Sequence, residues 1–489
     1  MNKSFKIYSF CLKFSVILII CISASSAYSQ KSFTINNRLI DVESLDKKVN
    51  FLIKEVGIPG ASLSVISDNK IVFSNSYGVK QLGVADKVDN ETIFEACSLS
   101  KSFLAFVVYK LVDEGKLDLD KPLYTYLKYQ PLEHDLRYKK ITARMVLSHS
   151  SGIENWKSMH NSDTLEIMSN PGEKFVYSGE GYQYLGQVIE LILHKSYEDY
   201  VNDMILKPLN LTRTFTSYKS NPQNYATGYN AFGKPYEKWK NMFSIPAAGN
   251  HTTSADYARL IIEIFNKKNI SDSTIYAVTR PIVRLQENTP SVSYAAGFEL
   301  ISSKNDTIIS HGGTNIGFRG LMFYSPKSKN GFVLLANSER GKLIAGSIND
   351  ATVQLDIAAK LSSNFSDQYP SEAISLLNIY NHSGLNAMLA RLNDLENEGK
   401  LNENTLNDLG DEFMKVSDSV ATDLLTKNIK LFPKSSTGHY LLGIVDMKNK
   451  RYASAYTHFE KARQLKFQYG DVDFYVNEAR RKSQIPTEK

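Results

Sequence analysis

Three Ser-x-x-Lys pairs occur in the chain: Ser44/Lys47, Ser67/Lys70 and Ser98/Lys101. A serine hydroxyl is a poor nucleophile and needs an adjacent base. Lysine serves as one only where burial or neighbours lower its pKa from about 10.4 toward neutrality. Residues i and i+3 share one face of a helix, so this chemistry calls for a buried helix. Ser67/Lys70 straddles a predicted hairpin turn, where lysine stays solvated. Ser44/Lys47 sits beside Asp46 and Lys48 on a predicted surface helix. Only Ser98/Lys101 opens a strongly apolar run, residues 103–108 (FLAFVV). A nucleophile there also gains from the positive end of the helix dipole. The competing role for Ser98 is a plain N-cap, common at such positions. Other chemistries find less support. No HExxH, CxxC, GxSxG or GxxxxGK[ST] pattern occurs, and the nine histidines are scattered. No metal or organic cofactor is expected.

The elements that would hold Ser98 and Lys101 can be read from pattern. Residues 61–66 (ASLSVI) and 71–77 (IVFSNSY) flank Asp68-Asn69 and predict a hairpin. Residues 100–114 predict a helix ended by Gly115, and 144–147 and 182–193 have helical spacing. Residues 300–310 and 331–337 predict strands. Strands, then helices and loops, then strands again imply an α+β fold: an antiparallel sheet flanked by helices, with a helical insertion. A polar stretch, 361–370, ends in Pro370 and marks a boundary. Everything beyond reads as helix. Leu409, Ala421, Leu425 and Asn428 recur 34 residues later as Gly443, Ala455, Phe459 and Ala462. The second copy resembles a tetratricopeptide repeat; generic helical hairpins are the alternative. Such a region would bind a protein or peptide partner, or brace the preceding domain.

Composition narrows the class. Hydrophobic residues make up 42% and charged residues 22%, which excludes wholesale disorder and a polytopic membrane protein. Lys3, Lys6 and Lys13 precede the apolar run 14–22 and a small-residue stretch ending at Ser29, the layout of an export signal. The run is shorter than the roughly 20 residues a spanning helix needs. Cleavage after Ser29 removes three lysines, no acid, and both Cys11 and Cys21. Half of the +6 net charge goes with it, and Cys97 is left as the one thiol. No basic cluster supports nucleic-acid binding. The expected organisation is an export signal at 1–29, a catalytic domain at 30–365 and a helical repeat domain at 366–489. The expected location is secreted or periplasmic, with no transmembrane segment in the mature chain.

The flanks of Ser98 carry a resemblance. Residues 92–103 (TIFEACSLSKSF) are similar to the nucleophile motif of the serine β-lactamase and penicillin-binding-protein superfamily, closest to its class C, D-aminopeptidase and esterase branch. Further pieces follow in order: residues 147–153 (LSHSSGI), Pro171-Gly172-Glu173, Tyr177-Ser178, Ala247-Ala248-Gly249, residues 253–256 (TSAD), residues 311–314 (HGGT) and Gly317-Phe318-Arg319. Each is weak alone, and the ordered series spans roughly residues 45–340. The resemblance implies that Ser98 is acylated, that Lys101 helps take its proton, and that Tyr177 is a general base or acid acidified by nearby cations. It places His311, Gly312, Gly313 and Thr314 along the substrate, with the backbone N–H groups of Ser98 and Thr314 as the oxyanion hole. His149 reads as a loop histidine satisfying backbone groups, and Cys97 as a packing residue.

One departure bears on substrate. The family's Tyr-x-Asn asparagine is replaced by Gly179. In typical β-lactamases that asparagine contacts the substrate amide and the lysine. Its absence argues against efficient β-lactam hydrolysis and leaves room for a bulkier ligand or a replacement donor, with Glu180 adjacent. The resulting expectation is an exported serine hydrolase cleaving an ester or amide in a small molecule or peptide. The alternatives are a non-catalytic sensor for peptidoglycan-type ligands and a true β-lactamase.

Overall fold

The computed structural model describes residues 31–157, 163–221, 223–266, 269–285, 291–303, 305–363, 371–467 and 472–483. The expected export signal, 1–29, lies outside them. A small hairpin of β1 (Ser32–Ile35) and β2 (Arg38–Asp41) leads into the helix Val42–Val56. Then come β3 (Gly60–Ser67), β4 (Lys70–Gly78), β5 (Phe94–Glu95) and β6 (His251–Thr252), the last two paired with each other. The chain closes with β7 (Val283–Arg284), β8 (Val292–Tyr294), β9 (Glu299–Ser302), β10 (Thr307–Asn315), β11 (Phe318–Ser325) and β12 (Asn330–Ala336). The main antiparallel sheet runs β4-β3-β12-β11-β10-β9-β8-β7. The first strands therefore sit beside the last, and the helices between β4 and β7 form the expected insertion.

The sheet is buried on both faces, which explains why residues 331–337 read as an unbroken apolar run. Phe332, Leu334 and Ala336 join the core under the helix Val42–Val56, while Val333 and Leu335 join the core that holds the helix Lys101–Asp113. The predicted hairpin at Asp68-Asn69 forms, with both residues at positive φ. Residues 300–310 differ from expectation: they form two strands rather than one. The Ser303 N–H donates to the Asp306 carbonyl at 2.9 Å, closing a turn that folds β10 back onto β9. The polar run 302–307 (SSKNDT), with its Asn305-Asp306 pair, is the sequence signal for this turn.

Beyond residue 371 the described chain is helical: Ser371–Asn397, bent at Gly384 (φ 82°), Glu403–Phe413, Asp418–Leu431, Ser436–Lys448, Tyr452–Gln464 and Val472–Ser483. Two glycines let neighbouring helices approach closely. A Cβ on Gly410 would lie 2.4 Å from Leu425, and one on Gly443 would lie 2.6 Å from Phe459. The region is fastened to the sheet domain. Phe232 packs against both Tyr380 and Phe413, each ring centroid 5.1 Å away, and those two rings meet each other at 5.0 Å. Buried Arg340 donates to the Val56 carbonyl at 2.9 Å and to Asn378 at 2.8 Å. Among the described residues, no helix is long and apolar enough to cross a membrane.

Candidate active site

Ser98 lies in a tight 3-10 turn, Cys97–Ser100, between β5 and the helix Lys101–Asp113. Cys97 has φ +53°, a conformation that costs a non-glycine residue energy and clusters at functional sites. The turn leaves Ser98 partly exposed in a run of buried neighbours. Ser98 is not an N-cap: no side chain caps the 3-10 turn or the helix after it. The Cys97 thiol is fully buried against the Glu95 and Phe318 carbonyls, and burial pushes its pKa up, so it stays an unreactive packing group.

Lys101 is fully buried. Its Nζ donates to Ser98 Oγ at 3.3 Å and to the Ala247 carbonyl at 2.8 Å. The ring centroids of Tyr177 and Tyr182 lie 4.8 and 5.3 Å from it. Burial lowers its pKa to about 7, and no carboxylate is among the causes acting on it. A large fraction is therefore the free amine at neutral pH, in hydrogen-bond reach of the serine.

Tyr177 donates to Ser98 Oγ at 2.8 Å. Burial pushes the Tyr177 pKa well up, outweighing the Ser98 hydrogen bond, the opposite direction from the acidified phenol that the resemblance implies. His149 positions Tyr177. The imidazole stacks on the Tyr177 ring at 4.1 Å, accepts from the Ser178 N–H at 3.1 Å, and is held neutral by burial and by Lys101.

His311, Gly312, Gly313 and Thr314 lie in the second half of β10. The pairing of β10 with β9 ends at Ser310, so beyond it that edge has no strand partner there. Gly313 packs on the turn that carries Ser98: a Cβ would lie 2.8 Å from Cys97 Cβ and 3.3 Å from the Ser98 nitrogen. Only glycine lets strand and turn approach so closely. Thr314 is exposed at the strand's end. The His311 ring is 2% exposed, between the Tyr294 hydroxyl at 3.3 Å and the Gly312 carbonyl at 2.9 Å.

Several participants were missed in the sequence. Asn315 donates to Glu95 at 2.7 Å and to the Ala248 carbonyl at 3.4 Å, tying the end of β10 to both segments beside Ser98. Burial raises the Glu95 pKa to about 7. The space beside Gly179 is not open, contrary to expectation. A Cβ there would lie 2.5 Å from Trp156 Cη2 and Cζ2. Glu180 faces away, accepting from the Lys157 N–H at 3.1 Å. The signal was the glycine itself, since a missing side chain in a crowded site implies a neighbour.

Beside an eight-stranded antiparallel sheet, a partly exposed serine thus has a buried lysine and a tyrosine within hydrogen-bond reach of its hydroxyl. A family model described as "Beta-lactamase" matches residues 45–354, and the chain belongs to that family. "Protein flp" of Staphylococcus aureus (strain N315) is 26% identical over 314 residues, covering 60% of this chain and 63% of that protein, which is under two thirds of the relative's length. The octameric penicillin-binding protein homologue from Pyrococcus abyssi superposes with TM-score 0.56 at 22% identity, covering 67% of this chain and 81% of that one. A class C beta-lactamase gives TM-score 0.52 at 22% identity, with 60% and 90% covered.

Proposed function

We propose that the protein is an exported serine hydrolase that cleaves an ester or amide through an acyl-enzyme on Ser98. The observation that carries this is the fully buried Lys101 amine, pKa about 7, 3.3 Å from Ser98 Oγ, with Tyr177 at 2.8 Å on the same oxygen. Ser98 Oγ attacks the carbonyl carbon as neutral Lys101 takes its proton. The oxyanion rests on the backbone N–H groups of Ser98 and Thr314, each such donor worth about 10²–10³ in rate. Tyr177 passes a proton to the leaving group as the C–O or C–N bond breaks. Water then attacks the ester, and its proton returns through the same pair. Gly313 keeps strand and turn in contact, and His311 supports the strand from behind.

The test is labelling with a fluorophosphonate or a tagged penicillin. The protein should label at one site, and Ser98→Ala should not. Equal labelling of the two sinks the assignment. Trp156 against Gly179 disfavours rapid β-lactam turnover, so nitrocefin hydrolysis should be slow. The lysine-rich start and its apolar run support export, checked by cell fractionation. We read the helical region as tetratricopeptide-like and as a brace for the catalytic domain, a reading supported by the Phe232 and Arg340 contacts.

A further inference from the structure

Ser178 is extended (φ −139°, ψ 115°), so the side chains of residues 177 and 179 project to the same side. Tyr177 uses that side to reach Ser98. Ser178 turns the other way, with its hydroxyl donating to the Glu154 carbonyl and accepting from the Gly181 N–H, both at 2.9 Å. At position 179 the direction a side chain would take is filled by the Trp156 indole, through Cη2, Cζ2 and Cε2. The loop that carries Trp156 is stitched to the same turn. Asn155 accepts the Gly179 N–H at 2.9 Å through its side chain, and its carbonyl accepts the Glu180 N–H at 3.0 Å. The indole is half-buried and packs against the core that holds the helix Lys101–Asp113.

We infer that Trp156 is the specificity-determining wall of the acyl site. The indole atoms nearest the 179 position are carbons, so a group on the scissile carbonyl that extends past Tyr177 to that side meets an aromatic ring where the family's asparagine amide would stand. The acyl-enzyme then forms fastest from esters of unbranched apolar acids. Acids with an amide on the carbon next to the carbonyl lose that amide's hydration without a partner, which discriminates against them. This rests on the acyl-enzyme reading above.

The experiment measures kcat/KM for the 4-nitrophenyl esters of acetic, butyric, octanoic and N-acetylaminoacetic acids. It uses the full-length protein and its Trp156→Ala, Trp156→Phe and Gly179→Ala variants. The octanoate-to-acetate ratio should fall about tenfold in Trp156→Ala, and be largely restored in Trp156→Phe. Gly179→Ala, whose Cβ must push the indole aside, should lower the ratio too, and it serves should Trp156→Ala misfold. The N-acetylaminoacetate should gain relative to butyrate in Trp156→Ala. If all four esters slow by one common factor, Trp156 only braces its loop and the inference fails, while Ser98-dependent labelling keeps the acyl-enzyme standing. If the unaltered protein hydrolyses none of the esters and shows no Ser98-dependent labelling, the acyl-enzyme reading fails and takes this inference with it.

Discussion

Two of the places where the molecule buries charge treat it in opposite ways. Lys101 is alone: a serine hydroxyl, a backbone carbonyl and two aromatic faces surround it. At the joint with the helical region, Lys415 instead meets Glu412 at 2.9 Å and Glu339 at 3.2 Å, with Asp411 also close in charge terms. Burial opposes the Lys415 charge, but those carboxylates outweigh it and hold its pKa at about 12. Burial and neighbouring carboxylates raise Asp408 to about 9 and Asp411 to about 6. A solitary buried amine sheds its proton and becomes a base. A mixed cluster keeps its central charge and holds two bodies together.

Breaking each site should therefore have different consequences. Lys101→Met should slow acylation about 10²–10⁴-fold, the usual worth of a general base. It should also raise the melting temperature, because an apolar side chain replaces a buried amine whose charged form burial penalises. Stopped-flow acylation and thermal melts read both, and an acylation rate within a few-fold of the original would remove Lys101 from the mechanism. In the unaltered protein, kcat/KM should rise with pH and level off above about 7, where Lys101 becomes the free amine.

Phe232→Ala attacks the joint. It should cost about 3–5 kcal/mol, as for other buried phenylalanines, and speed hydrogen exchange over residues 403–431. Acylation of the folded protein should change less than threefold. A hundredfold loss would mean that the helical region is part of the catalytic apparatus.

The smallest effect is expected at Asp408, whose carboxylate oxygens find no hydrogen-bond partner among the described residues. Its folded pKa lies above the unfolded value, so the stability it gives at low pH is lost as pH rises from about 4 through about 9. Asp408→Asn cannot ionise, and its stability should decline less between pH 6 and 9, by about 1–2 kcal/mol. Parallel curves for the two proteins would show that Asp408 does not titrate there.

The Ser98/Lys101 pair was legible because burial of a lysine leaves a mark in sequence, an apolar run on both helix faces. The hairpin at Asp68-Asn69 and the helical tail were legible for similarly local reasons. The Ala247 carbonyl was not, since a backbone acceptor has no side-chain signature. The burial that raises the Tyr177 pKa was not legible either, since distant parts of the fold and not the local sequence enclose the phenol. Trp156 was hidden because its loop meets Gly179 only in three dimensions.

The sheet's strand order also sets when the site can exist. The Gly60 N–H donates to Asn337 across 277 residues, and β3 is paired with β12. A growing chain thus presents Ser98 and Lys101 long before the strands that flank them are available. Such distant pairing makes for slow assembly and leaves strand edges exposed meanwhile. The arrangement around Ser98 can therefore form only after nearly the whole sheet region has been synthesised, with β12 among its last strands.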